Sequence, residues 1–85
     1  MSYFEFIFSG DLTPEYEEKT KLLLKQINEG FVPFKIEKYY DEDISTDKKK
    51  RTIVIVSHIN VWEYLNLQMQ DLKLMFVAYY KQRFI

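Results

Sequence analysis

The sequence predicts an α+β fold, a three-stranded antiparallel sheet of order 1-3-2 in a split β-α-β arrangement with two helices on one face. Three observations carry this expectation. Residues 3–9 and 31–40 alternate apolar and polar side chains with the period of a strand. Residues 14–29 and the segment after Asn60 carry caps and helical spacing. Between them lies Ile53-Val54-Ile55-Val56, four consecutive β-branched residues without alternation, the pattern of a strand shielded on both faces and therefore central.

Each element follows from its own residues. In the first strand Phe4, Phe6 and Phe8 take one face while Tyr3, Glu5, Ile7 and Ser9 take the other, and Gly10-Asp11 is expected to break it. Thr13 supplies an N-cap hydroxyl, Pro14 the first helical position and Glu15 an acid in the first turn. The apolar stripe of this helix is Tyr16, Thr20, Leu23, Leu24 and Ile27, and Gly30 ends it in the left-handed conformation. In the second strand Val32, Phe34 and Ile36 alternate with Lys35, Glu37 and Tyr39. Lys38 interrupts the series, and Pro33 lacks a backbone donor, which assigns the strand to an edge. Residues 41–51 hold four acids followed by Lys48, Lys49, Lys50 and Arg51, and read as an exposed hairpin loop before the strand at 52–59.

Asn60 is expected to cap the second helix, with Glu63 completing a capping box and Val61, Trp62, Leu65, Met69, Leu72 and Phe76 along one side. From Leu72 to Tyr80 nearly every residue is apolar, and two readings compete: the helix continues, or a fourth strand starts near Lys73. No Gly, Pro, Ser or Asn separates the parts, so one continuous helix is favoured; the alternative completes a ferredoxin-like β-α-β-β-α-β fold. In the favoured version about 24 helical residues span roughly 35 Å against about 20 Å of strand, so the apolar end overhangs the sheet. Either version leaves aromatic surface uncovered, together with a sheet face holding Tyr3, Ile7, Tyr39 and one side of the third strand. A homodimer is the simplest arrangement that covers it.

Composition bounds function. At 85 residues, residues 1–85 form a single α+β domain, and 47% hydrophobic with 29% charged residues excludes intrinsic disorder. A net charge of −1 lacks the basic excess of phosphate-dominated nucleic-acid binding. There is no cysteine, hence no disulfide, thiolate metal site or cysteine nucleophile. No apolar run reaches the roughly 18 residues of a membrane span and no basic leader precedes an apolar stretch, so an unprocessed cytoplasmic protein without membrane contact is expected.

No catalytic constellation emerges, and neither metal nor cofactor is expected. His58 is the only histidine, and Ser57 beside it points to the opposite face of a strand, so the two cannot act as base and nucleophile. Asp41, Asp43, Ser45 and Asp47 echo a calcium loop, but Thr46 replaces the turn glycine and Thr52 the bidentate glutamate. Lys48, Lys49, Lys50 and Arg51 form a candidate polyanion-binding tip, largely offset by the neighbouring acids; nucleic acid is thus an alternative partner and not the favoured one. Aromatic residues make up 18% of the chain and concentrate near its C-terminus, where Tyr79, Tyr80, Arg83 and Phe84 are the candidate partner-binding anchors and Ile85 an end expected to be docked. The expected function is a small non-enzymatic protein-binding module, a regulator or inhibitor of the size common among accessory factors of microbes or their viruses.

Overall fold

The structure, a computed structural model, describes residues 2–82. Its element order is β1 (Ser2–Asp11), α1 (Pro14–Glu29), β2 (Phe34–Ser45), β3 (Lys48–Ser57), α2 (Trp62–Met69) and β4 (Met75–Gln82). The four strands form one antiparallel sheet of order β2-β3-β1-β4, and both helices pack on the same face. The expected order 1-3-2 survives as three neighbouring strands, but β4 joins on the outer side of β1, so the sheet has four strands and the arrangement is ferredoxin-like.

The continuous second helix is the main correction. α2 stops at Met69, and the turn through residues 70–74 forms without Gly, Pro, Ser or Asn: the Leu72 N–H donates to Met69 O at 3.0 Å and the Leu74 N–H to Leu72 O at 2.9 Å. Tertiary pairing decides the outcome over the missing turn residues, because Met75 to Gln82 then align with β1 over eight successive residue pairs. Phe76 stacks between Phe8 (centroids 4.2 Å apart) and Trp62 (4.3 Å), tying β1, β4 and α2 into one aromatic column.

α1 follows its sequence signals. Thr13 Oγ1 accepts from the Tyr16 N–H at 3.2 Å, and Gly30 at φ 75° turns its N–H onto the Gln26 and Ile27 carbonyls. Tyr16, Thr20 and Leu23 are buried, whereas Leu24 lies at the surface one side of the stripe. α2 begins at Trp62, and Asn60 meets it differently from a capping box: its Oδ1 accepts from the Trp62 N–H at 2.9 Å while Val61 occupies the cap position.

Two strands run longer than their sequence patterns. Gly10 and Asp11 remain in β1, opposite Arg51 and Lys50. A Cβ at Gly10 would lie 2.6 Å from Leu74 Cδ2 and 3.2 Å from Lys73 O, so this glycine admits the α2–β4 connection against the sheet. The expected loop at 41–51 is instead a paired β2–β3 arm turning at Thr46-Asp47, with Asp41 opposite Arg51, Glu42 opposite Lys50 and Asp43 opposite Lys49. Opposite charges across each rung favour continuing the ladder over looping out. β2 itself starts at Phe34, three residues later than expected, because Pro33 cannot donate to the ladder.

The core lies between sheet and helices, with Phe6, Phe8, Ile53, Ile55, Tyr16, Leu23 and Leu65 fully buried. Among the described residues no helix covers the other side of β3; Val54 is buried there by neighbouring side chains of the same face and Val56 is only partly so. The unalternated run thus marks a central strand without marking a second layer.

Candidate interaction surface

The register lays out the uncovered face rung by rung across β2, β3, β1 and β4. One rung reads Lys35, Val56, Glu5, Tyr79, the next Lys38, Val54, Ile7, Val77, and the third Tyr40, Thr52, Ser9, Met75. The middle is aliphatic and polar needs inside it are met locally: the Ser9 and Thr52 hydroxyls share a hydrogen bond at 3.0 Å. Around it Met75 is 57%, Tyr79 47% and Tyr40 45% exposed. At one end Lys81 Nζ reaches Glu5 Oε1 at 2.9 Å, and this carboxylate holds the ammonium above its ordinary pKa. The face opens there into a cleft of about 660 Å³ bordered by Tyr3, Val56, Glu37 and His58.

Tyr40 stands where the sequence placed Tyr39. A bulge between Ile36 and Lys38 inserts Glu37 and inverts the alternation, sending Tyr39 to the helix side. The adjacent polar residues Glu37 and Lys38 were its trace in the sequence, the point at which alternation failed.

On the helix side Tyr39 meets Arg51, whose guanidinium carbon sits 4.7 Å from the ring centroid. Arg51 is no exposed tip residue: its side chain is 7% exposed, Nε and Nη2 donate to the two Asp41 carboxylate oxygens at 2.7 and 2.9 Å, and Nη1 donates to Glu17 at 2.6 Å. The hydrogen bond from Arg51 lowers the Asp41 pKa, while burial is the main cause that raises the Tyr39 hydroxyl. Lys48, Lys49 and Lys50 are exposed along the arm, the last two facing Asp43 and Glu42. Asp41, Asp43 and Ser45 lie along an extended strand rather than around a cation-sized loop.

Of the expected partner-binding anchors, Tyr79 lies on the uncovered face and Tyr80, 61% exposed, on the helix side, where it packs on Phe4 at 5.1 Å between centroids. Arg83 and Phe84 lie outside the described residues. Consecutive strand residues cannot share a face, so Tyr79 and Tyr80 flank the β4 edge instead of forming one patch. Met75, which belongs to the same C-terminal aromatic stretch, completes the surface with Tyr40 and Val77, which were not singled out from sequence because their placement depends on the β2 bulge and on β4 being a strand. His58 is exposed, its Nδ1 3.3 Å from Ser2 O, and Ser57 Oγ donates to Pro33 O at 2.8 Å, so the two serve separate strand-end contacts.

Tyr16 gives a test of the helix–sheet seam. Its buried hydroxyl donates to Arg51 O at 3.2 Å, and burial pushes its pKa far up. A tyrosine whose folded pKa is raised contributes stability that is complete below its unfolded value, near 10, and lost as pH rises beyond it. Tyr16→Phe is expected to cost about 1 kcal/mol at neutral pH and to flatten the loss of stability above about pH 10 in denaturant titrations. An unchanged alkaline slope would contradict this placement.

The chain matches no protein-family model and no curated protein. Among solved structures it is similar to the de novo designed protein Foldit4, with a TM-score of 0.57 at 4% identity over 96% of this chain and 97% of that one. It is also similar to the C-terminal domain of the MgtC protein from Mycobacterium tuberculosis, with a TM-score of 0.62 at 7% identity over 94% and 89%. LarC2, the C-terminal domain of a cyclometallase involved in synthesis of the NPN cofactor of lactate racemase, gives 0.52 at 7% identity over 96% of this chain and 58% of that chain. At these identities the likeness is one of fold alone. Among the described residues no helix is long and apolar enough to cross a membrane.

Proposed function

We propose that the protein is a non-enzymatic binding module that docks a partner protein on the uncovered sheet face. The observation that carries the reading is the rung pattern of Ile7, Val54, Val56 and Val77 framed by Tyr40, Tyr79 and Met75, an apolar centre with tyrosines at its margin. Charge bears on the kind of partner. Lys35, Lys38, Lys50 and Lys81 on this side are matched by Glu5, Asp11, Glu37 and Glu42, so no positive field is available to draw a polyanion, and the complement is an apolar protein surface with a neutral polar margin. Occupying that surface on the partner is the act of a regulator or inhibitor.

The test uses the double variant Tyr40→Ser with Tyr79→Ser, which removes both rings without touching the core, beside the control Leu67→Ser on exposed α2 surface. Photocrosslinking from position 77 in the native host should trap a discrete adduct with a protein other than a second copy of the chain, which the double variant loses and the control retains. Equal trapping by all three proteins, or adducts only with nucleic acid that vanish with salt, would overturn the reading.

A further inference from the structure

We infer that a second copy of the chain joins at β4, pairing the two β4 strands antiparallel about a twofold axis through Ala78 and producing a continuous eight-stranded sheet. This goes beyond the binding reading, and because edge pairing leaves the sheet face free, either can fail without the other.

The two edges of the sheet differ in how they are defended. β2 carries Pro33 at its start, register shifts at Ile36/Lys38 and Asp43/Ser45, and charges at Lys35, Glu37, Lys38, Asp41, Glu42 and Asp43, all devices that prevent another strand from adding. β4 carries none. Its pairing with β1 is unbroken over eight residues, and Met75-Phe76-Val77-Ala78-Tyr79-Tyr80 contains no charge, glycine or proline. Its one charged residue, Lys81, is drawn inward over β1 by Glu5 at 2.9 Å and does not guard the edge. Left open, such a six-residue strand is a template for uncontrolled pairing. Twofold pairing consumes both copies of it, and the outer edges of the dimer are then the two defended β2 strands, so assembly stops at two.

The register follows from the strand itself. Keeping both helix layers on one side requires odd residues to face odd and even to face even. Centring on Ala78 sets Phe76 against Tyr80 on the helix side, and Val77 against Tyr79 and Met75 against Lys81 on the other. Ala78 and Tyr80, both exposed in the single chain, become covered. Centring on Val77 instead would set Tyr80 opposite Leu74, which lies outside β4, and centring on Tyr79 would oppose Val77 and Lys81. Aromatic and β-branched cross-strand pairs stabilise a ladder, and like charges directly opposite destabilise it.

The experiment is sedimentation equilibrium of the full chain with charge variants at Met75, which is exposed and therefore tolerant of either sign. Wild type should sediment as a dimer. Met75→Lys creates two Lys–Lys oppositions and should weaken the dimer about tenfold, while Met75→Glu creates two Glu–Lys pairs and should tighten it by a similar factor, both reversing toward wild type in high salt. In a chain without cysteine, Ala78→Cys should form a disulfide-linked dimer on mild oxidation and Tyr79→Cys should not, since only residue 78 faces itself. A monomer at every soluble concentration overturns the inference, as does a dimer in which both Met75 variants shift the equilibrium the same way or Tyr79→Cys crosslinks as readily as Ala78→Cys. Circular dichroism matching wild type establishes that each variant is folded before its mass is read.

Discussion

Phe8→Ala is expected to remove about 3–5 kcal/mol of stability, read as a lowered urea midpoint at unchanged slope. The residue is fully buried, and its ring is the first of the Phe8–Phe76–Trp62 column, with 15° between the first two planes and 11° between the last two. Truncation leaves a cavity between β1 and α2 and deletes a stacking contact of about 0.5–1.5 kcal/mol beyond area burial. Because a chain of this length has only about 4–13 kcal/mol in all, this loss is a large share of its total stability. Ile55→Ala, at the centre of β3 opposite Phe6 and Ile36, is expected to cost about 2–5 kcal/mol by the same reasoning but without the aromatic component. A loss below about 1 kcal/mol for Phe8→Ala would mean that β4 and α2 are not held through this column.

That column also explains what the sequence could and could not convey. Thr13-Pro14, Gly30 and the alternation of Phe4, Phe6 and Phe8 are local signals whose physics is complete within a few residues, and α1 and β1 follow them. The identity of β4 is not local. Nothing between Asp71 and Leu74 has turn chemistry, and Met75 to Tyr80 is apolar at both strand and helix periods, so only the eight-residue pairing with β1 and the slot between Phe8 and Trp62 distinguish strand from helix. The surface inherits this ambiguity. Tyr79 was visible as an exposed aromatic, but Val77 and Met75 join it only through β4, and Tyr40 reaches this face only through the bulge at Glu37. The arm at 41–51 misleads for a related reason: charge clusters read as loop, yet acids opposite bases at three successive rungs are the side chains of a paired strand.

Arg51→Ala is expected to cost about 3 kcal/mol, although the position lies in a run that reads as solvated lysine-rich surface. The guanidinium is the sole cation bonded to both Asp41 and Glu17 among the described residues, and it also lies over Tyr39, so its removal leaves two carboxylates facing each other across the seam between α1 and the β2–β3 arm. The figure sits at the low end of the range for breaking a buried pair because both carboxylates reach solvent and can rehydrate. Arg51→Lys should recover little, since one ammonium cannot reproduce the fork that meets Asp41 through two nitrogens and Glu17 through a third. The acid limb gives an independent reading. The Asp41 pKa is lowered from its ordinary 3.8 by the Arg51 hydrogen bond, so its contribution is present above that value and lost as pH falls through the lower folded one. Wild type should therefore lose stability below about pH 4, and Arg51→Ala should show a shallower acid limb together with its lower midpoint. Equal acid slopes in the two proteins would place the carboxylate's partner elsewhere; a cost near zero would make Arg51 the exposed basic residue that the Lys48-Lys49-Lys50 run implies.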